Sequence, residues 1–357
     1  MNSRLMQASG EVLAVEVRRH GLTMRRPFRS GSAEIGEREV VLLCVRWGFE
    51  DGQALGVGEV APLPGWSAES LEECLEVLQE SSTGELVERA QGLNALRCGL
   101  QMSRLHALTR HQGCHLADLF AGSEGCAKAR VTCQSTIGSA AMEQTLERAA
   151  EAISRGFGAL KLKVGARPLD EDLRRLRALR EEFPRVTLRV DANRSLGRRE
   201  AKRFLRAVAK LDVDLIEEPI GAESLEELCD FAQETGAPLG ADETLAGETD
   251  ISADRLRGLR AVVLKPTSLG GFDRAFQWAR AAKTADVEPI SSTLLESSIG
   301  RQFIAEFAAG TDAVDGPQGL ATGRLFLSDI FEEPLRGGSF DIARGRAELN
   351  RLAVEGW

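Results

Sequence analysis

The chain has 357 residues, with 54 acidic against 45 basic side chains and a formal charge of -9, which argues against a nucleic-acid-binding surface. Hydrophobic residues make up 43% and charged residues 28%, the proportions of a globular protein with material for a sizeable core. The longest strictly apolar run, Val40 to Val45, is far short of the roughly 20 residues that span a bilayer, and the first residues carry no signal-peptide core, so a cytoplasmic protein with no membrane partner is expected.

Residues 11–60 read as β-rich, with strands predicted over Glu11–Arg18, Glu39–Val45 and Leu55–Val60. The glycine- and proline-rich stretch GVGEVAPLPGW follows, either a plain turn or a lid reaching over a site. A helix begins near Leu71, with Cys74, Leu75 and Leu78 at helical spacing, and a second is predicted over Leu86–Leu108.

From Arg130 a rhythm sets in. Short β-branched segments end at Ser135, Lys163, Asp191, Glu217, Asp242, Lys265, Ile290 and Val314, each about 25 residues after the last. Helical patterns lie between them, over Glu171–Phe183, Arg199–Lys210, Ser224–Glu234 and Phe272–Ala285. That repeat is the length of a strand, a helix and two loops, so an eight-stranded parallel α/β barrel is expected. A doubly wound open sheet is the rival. Polar or charged residues end nearly every strand, and a barrel brings those ends to one mouth, whereas an open sheet uses one switch point.

The seven cysteines form no C-x-x-C pair, which speaks against a disulfide framework or a thiolate zinc site. The four histidines all precede residue 116, so chemistry in the barrel must use carboxylates, lysines, hydroxyls or backbone groups. No G-x-G-x-x-G follows a strand and no Walker-type loop occurs, so nucleotide use is unsupported.

Lys161 and Lys163 stand two apart at a strand end and therefore face the same way. Two ammonium groups at one dry site disfavour each other, which would lower at least one toward the range of a general base. The next three strand ends supply Asp191, Glu217 and Asp242. Isolated acids there would merely cap helices or form ion pairs. Three on neighbouring strands repel one another unless a divalent cation lies between them, and all-oxygen donors favour Mg²⁺ (or Mn²⁺) over zinc. Asn193, Glu218 and Glu243 would support those ligands. Lys265 ends the sixth strand, opposite Lys163 across the mouth, so a bound carboxylate would have an amine on each face of its α-carbon. That arrangement suits proton abstraction beside a carboxylate, and a small-molecule carboxylate is the expected partner. Ser291 and Ser292, and Asp315–Gly316, end the last two strands and serve either substrate or ordinary capping.

These residues resemble the enolase superfamily, in its muconate-lactonising branch and most of all the o-succinylbenzoate synthase family, through GEVAPLPGWS, LKLKVG, RVDANRS, LIEEP, GADET, VLKP and SSTLLESSIG. The resemblance implies a (β/α)7β barrel, residues 129–328, under an α+β capping domain built from residues 1–128 and a returning C-terminal segment, 329–357. It implies Asp191, Glu217 and Asp242 as Mg²⁺ ligands, Lys163 as acid/base with Lys161 beside it, and Lys265 as the group that stabilises the enediolate. Arg189 and Asn193 would lie near the acidic site, and Ser291 would meet a substrate carboxylate. The implied reaction is syn-dehydration of 2-succinyl-6-hydroxy-2,4-cyclohexadiene-1-carboxylate to 2-succinylbenzoate in menaquinone biosynthesis. Dipeptide epimerase, N-succinylamino acid racemase and muconate cycloisomerase share the same frame and stay open as alternatives. No discrete interface motif predicts an oligomeric state.

Overall fold

The structure is a computed structural model describing residues 10–30, 33–121, 126–311 and 314–355. Three antiparallel strands open the chain, β1 (Glu11–Ser30), β2 (Ala33–Phe49) and β3 (Gly52–Val60), each longer than the sequence pattern indicates. Both faces of β2 are apolar and enter different cores. Val40 and Leu42 join the large core that continues into the barrel, whereas Val41, Leu43 and Val45 join a smaller one with Cys74, Leu75 and Leu96. The helix Leu71–Glu80 starts on a capping box in which Ser70 and Glu73 satisfy each other's amides.

The helix expected over Leu86–Leu108 is interrupted. A turn of helix at Leu86–Arg89 passes through Ala90–Gly92 before the main helix, Asn94–Gln112, begins. Gly92 is a poor helix interior residue and marks the break. That helix lies almost on β3: a Cβ on Gly56 would fall 1.8 Å from the Ser103 carbonyl oxygen. Only glycine permits this approach.

A short strand β4 (Arg130–Thr132) leads into seven parallel strands: β5 (Ser135–Gly138), β6 (Ala159–Lys163), β7 (Thr187–Asp191), β8 (Val213–Glu217), β9 (Leu239–Ala241), β10 (Ala261–Leu264) and β11 (Glu288–Ser291). They pair strictly in sequence order, with one helix crossing between most neighbours, as right-handed βα units require. Between β9 and β10 two 3₁₀ turns, Glu243–Leu245 and Ala253–Leu256, replace a full helix.

The eighth strand, expected to end at Val314, is displaced. Val314 is not in a strand, and residues 312 and 313 lie outside the described residues. The curled sheet closes at Gln318–Gly319, where parallel bridges join Cys133 to Gln318 and Ser292 to Gly319. Asp315 to Pro317 intervene, and a proline cannot donate to a ladder.

The tail forms β12 (Leu335–Arg336) and β13 (Ser339–Asp341), the latter pairing with β4, then a helix, Ile342–Glu355. On that helix Arg346 meets Glu306 at 2.7 Å, and Asn350 sits 2.9 Å from His106 Nε2. Because His106 Nδ1 accepts from the Val57 amide, the proton is on Nε2 and is donated to Asn350. Burial pushes His106 down to about 4, so this link between the first and last segments is uncharged.

Candidate active site

β6, β7 and β8 are in register at their C-terminal ends, with Lys163 opposite Asp191 and Asp191 opposite Glu217. The strand period then turns Lys161, Lys163, Asp191 and Glu217 to the inside. Asp242 follows β9 directly, and one carboxylate oxygen each from Asp191, Glu217 and Asp242 lie within 4.8 Å of one another, all buried. Lys161 Nζ stands 2.9 Å from Glu217 and 3.2 Å from Asp191, and Lys163 Nζ 2.7 Å from Asp191. From the facing side, Lys265 Nζ reaches Asp242 at 2.7 Å.

Charge decides the state of these groups. Burial opposes the Lys161 ammonium, but Glu217, Asp191 and Asp242 outweigh it and hold Lys161 above the ordinary lysine range. For Lys161 this reverses the expectation that two neighbouring lysines depress one another, because the acids are in contact with it. Burial would likewise raise Asp191, yet Lys163 and Lys161 hold it well below the usual carboxylate range. Glu217 goes the other way, raised by burial and by Asp191 and Asp242 despite Lys161.

The supporting residues are strained. Asn193 and Glu218, just beyond β7 and β8, take φ of 42° and 40°, a left-handed conformation that costs about 1–3 kcal/mol in such residues and gathers at functional sites. Glu218 accepts from the amides of Asp242 and Thr244, both at 2.8 Å, which fixes the turn carrying Asp242. Asn193 accepts from Lys163 and donates to Glu243 at 2.9 Å. Burial, with Asp242 and Asp191 nearby, pushes Glu243 up to about 8.

Two residues are not brought to this cluster. Arg189 faces inward, but two residues earlier on β7 and so about 7 Å deeper. Its guanidinium binds Asp214 at 2.7 Å, Glu288 at 2.8 Å and the Pro317 carbonyl at 2.9 Å, forming a plug at the strands' N-terminal ends. Ser291 pairs with Leu264 and shares the face that packs on the helices, while Ile290 lines the interior with Leu215 and Ala261. The Ser291 hydroxyl is buried without a partner.

One residue escapes a reading based on strand ends. Trp66, in the glycine- and proline-rich loop after β3, lays its ring 3.7 Å from Lys265 Nζ. The loop is therefore a lid rather than a plain turn, and an aromatic among its glycines and prolines was the available signal.

The sequence profile described as enolase C-terminal domain-like matches residues 144–351. The chain belongs to the enolase superfamily. Within it the likeness is to the muconate-lactonising branch. The o-succinylbenzoate synthase of Desulfotalea psychrophila is 30% identical over 244 residues, 66% of this chain and 64% of that protein. The synthase of Salmonella heidelberg is 29% identical over 318 residues, 88% of this chain and 92% of that one. Among solved structures, a dipeptide epimerase from Methylococcus capsulatus, complexed with Mg and the dipeptide L-Arg-D-Lys, is 25% identical with a TM-score of 0.81, covering 93% of this chain and 97% of that one.

The acidic cluster fits the divalent cation of this superfamily. Its donors are all carboxylate oxygens, and Glu217 Oε1 is buried without a hydrogen-bond partner, an atom in want of a ligand. No helix among the described residues is long and apolar enough to cross a membrane.

Proposed function

We propose that the chain is a cytoplasmic o-succinylbenzoate synthase of menaquinone biosynthesis, an Mg²⁺-dependent (or Mn²⁺-dependent) dehydratase acting on 2-succinyl-6-hydroxy-2,4-cyclohexadiene-1-carboxylate. The barrel, 129–328, would carry the chemistry and the segments 1–128 and 329–357 would cover it. Two relatives of that name support the reaction class. Asp191, Glu217 and Asp242 would hold the cation, which draws electron density from the substrate carboxylate and so acidifies the adjacent C–H. Lys163 takes that proton as an amine and returns it to the departing hydroxyl, so that C–H and C–O bonds break, water leaves and the ring becomes aromatic. Lys265, as an ammonium, balances the charge that builds on the carboxylate between these steps. Lys161 keeps Glu217 and Asp191 in place through the whole cycle.

The observation that carries this reading against dipeptide epimerisation is the position of Asp315. An α-ammonium group bound in the mouth needs a carboxylate there, and the eighth strand is the expected source. Asp315 instead bonds Lys128, has a 94% exposed side chain, and borders Arg189, Asp214 and Glu288 at the barrel's far end. The residues that leave the closing strand toward the mouth, Leu320 to Thr322, are uncharged. The test is formation of 2-succinylbenzoate from freshly generated substrate with and without EDTA, beside α-hydrogen exchange of dipeptides in D₂O. Exchange without dehydration would sink the synthase reading.

A further inference from the structure

β2 pairs with β3 as far as Val41 opposite Val60, and there the ladder ends. Pro62 has no amide hydrogen to continue it, so the carbonyls of Ala61 and Pro62 leave the sheet without strand partners. Arg38 fills that gap. Its guanidinium donates to Ala61 O at 2.7 Å, to Pro62 O at 2.8 Å and to Glu39 O at 2.9 Å. The residue is 2% exposed, and its Nε has no hydrogen-bond partner. Burial opposes the charge of this guanidinium and Glu296 and Glu59 partly offset it, while its hydrogen bonds fix the strand end and the root of the loop.

What it holds is the root of the lid. Beyond Pro62 the loop closes on itself: the amides of Trp66 and Ser67 donate to Leu63 O at 3.0 and 2.9 Å, and the Ser67 hydroxyl accepts from the Leu63 amide at 2.9 Å. Gly65, at φ 76°, makes the bend that sends Trp66 toward the barrel. The indole then covers Lys265 Nζ, which also donates to Asp242 and lies in the fields of Asp191 and Glu243. A lysine has four flexible side-chain bonds, and a group of carboxylates attracts its ammonium without fixing its direction, which a ring face laid against it does.

We infer that Arg38 and Trp66 are positioning residues for Lys265: Arg38 anchors the lid, and the lid's indole face fixes where the ammonium stands. The inference rests on the function proposed above only for the chemistry that Lys265 serves. The placement of Lys265 can be measured without any substrate.

The experiment is competitive labelling of the full-length protein with limiting acetic anhydride, read at Lys265 and, as a reference, at Lys202 by peptide mass spectrometry, with EDTA and with saturating Mg²⁺. Loss of a desolvated cation–π contact corresponds to roughly a ten-fold effect. Trp66→Leu should raise Lys265 labelling about that much with Lys202 unchanged, and Trp66→Phe, which keeps an aromatic face, should stay within about two-fold of wild type. Arg38→Lys should raise it like Trp66→Leu, and the double variant should add little, since both act through one contact. In turnover, Trp66→Leu should lower kcat about ten-fold with KM nearly unchanged. Wild-type labelling in Trp66→Leu, an equal rise at Lys202, or additive effects in the double variant would overturn the inference; if Arg38→Lys does not fold, the two Trp66 variants decide. A protein that labels as expected but does not dehydrate the substrate overturns the proposed reaction alone.

Discussion

Glu59, near the end of β3, places a carboxylate oxygen 2.8 Å from the amide nitrogen of Gly300, in the first turn of the barrel helix Ser298–Gly310. The same carboxylate accepts from the Ser297 amide at 2.7 Å and from its hydroxyl. A side chain of the N-terminal sheet thus caps a helix of the barrel, where the helix dipole favours negative charge.

Burial nevertheless pushes Glu59 up to about 7, despite those three donors. In the folded chain it keeps a proton that the unfolded chain, with an ordinary carboxyl, has released. Its contribution to stability is therefore complete below about pH 4.5 and is lost as pH rises through about 7. Relative to wild type, Glu59→Gln should gain stability between about pH 5 and pH 8, by about 3 kcal/mol at most. Urea unfolding of both proteins at the two pH values checks this; a constant difference would contradict it.

Asp191→Asn removes the charge of one proposed cation ligand, an ion-pair partner shared by Lys161 and Lys163. Titration calorimetry with Mg²⁺ or Mn²⁺ should show affinity weakened by about 100-fold, on the scale of losing coordination support. The rise in melting temperature that the cation gives wild type should shrink in parallel.

Lys163→Ala and Lys265→Ala should each lower kcat by about 10²–10⁴-fold, the range for a proton-transfer or charge-stabilising group. Circular dichroism should remain that of the wild type. Substantial turnover in either variant would refute the assigned role.

Arg189→Met should act on stability and leave the chemistry alone. It strands Asp214 and Glu288, which are about one-fifth exposed and also paired with Arg260, so the loss should be about 2–3 kcal/mol, below that for a fully buried pair. The surviving folded enzyme should keep kcat within about three-fold on the same reasoning. A large kcat loss with unchanged stability would place Arg189 in the site after all.

Gly56→Ala tests the seat of the N-terminal helix, since the added methyl would meet the Ser103 carbonyl. The sheet or helix must move, and a loss of about 3 kcal/mol or more is expected by thermal or urea melting.

The barrel and its acids were legible because each strand end recurs at nearly constant spacing and because the period of two sends alternate residues inward. Lys161, Lys163, Asp191, Glu217, Asp242 and Lys265 all obey that rule, and the structure brings them together. The same rule says which way a residue faces without saying how deep it sits. Arg189 faces inward, yet its long side chain found acceptors at the other end of the barrel. Ser291 fell on the wrong side of the pleat by a single residue. The interval of about 25 residues puts the closing strand's end at Val314, whereas the backbone pairing comes later, at Gln318 and Gly319, where no β-branched residue marks it. Trp66 stood out only as an aromatic in its loop, and Arg38 not at all: their partners, Lys265 and the Pro62 carbonyl, lie far along the chain, and no local periodicity encodes such contacts.

Asp191 and Glu217 end two hydrogen-bonded neighbouring strands and Asp242 directly follows the third, so the gaps between them start from the roughly 4.8 Å step of a peptide ladder. The gauge of the acidic cluster is thus cut by the main chain, with the Glu218 carboxylate holding the turn that carries Asp242. Variation among the outer helices would leave that spacing alone, whereas variation in the N-terminal arm reaches the chemistry through the indole of Trp66 on Lys265.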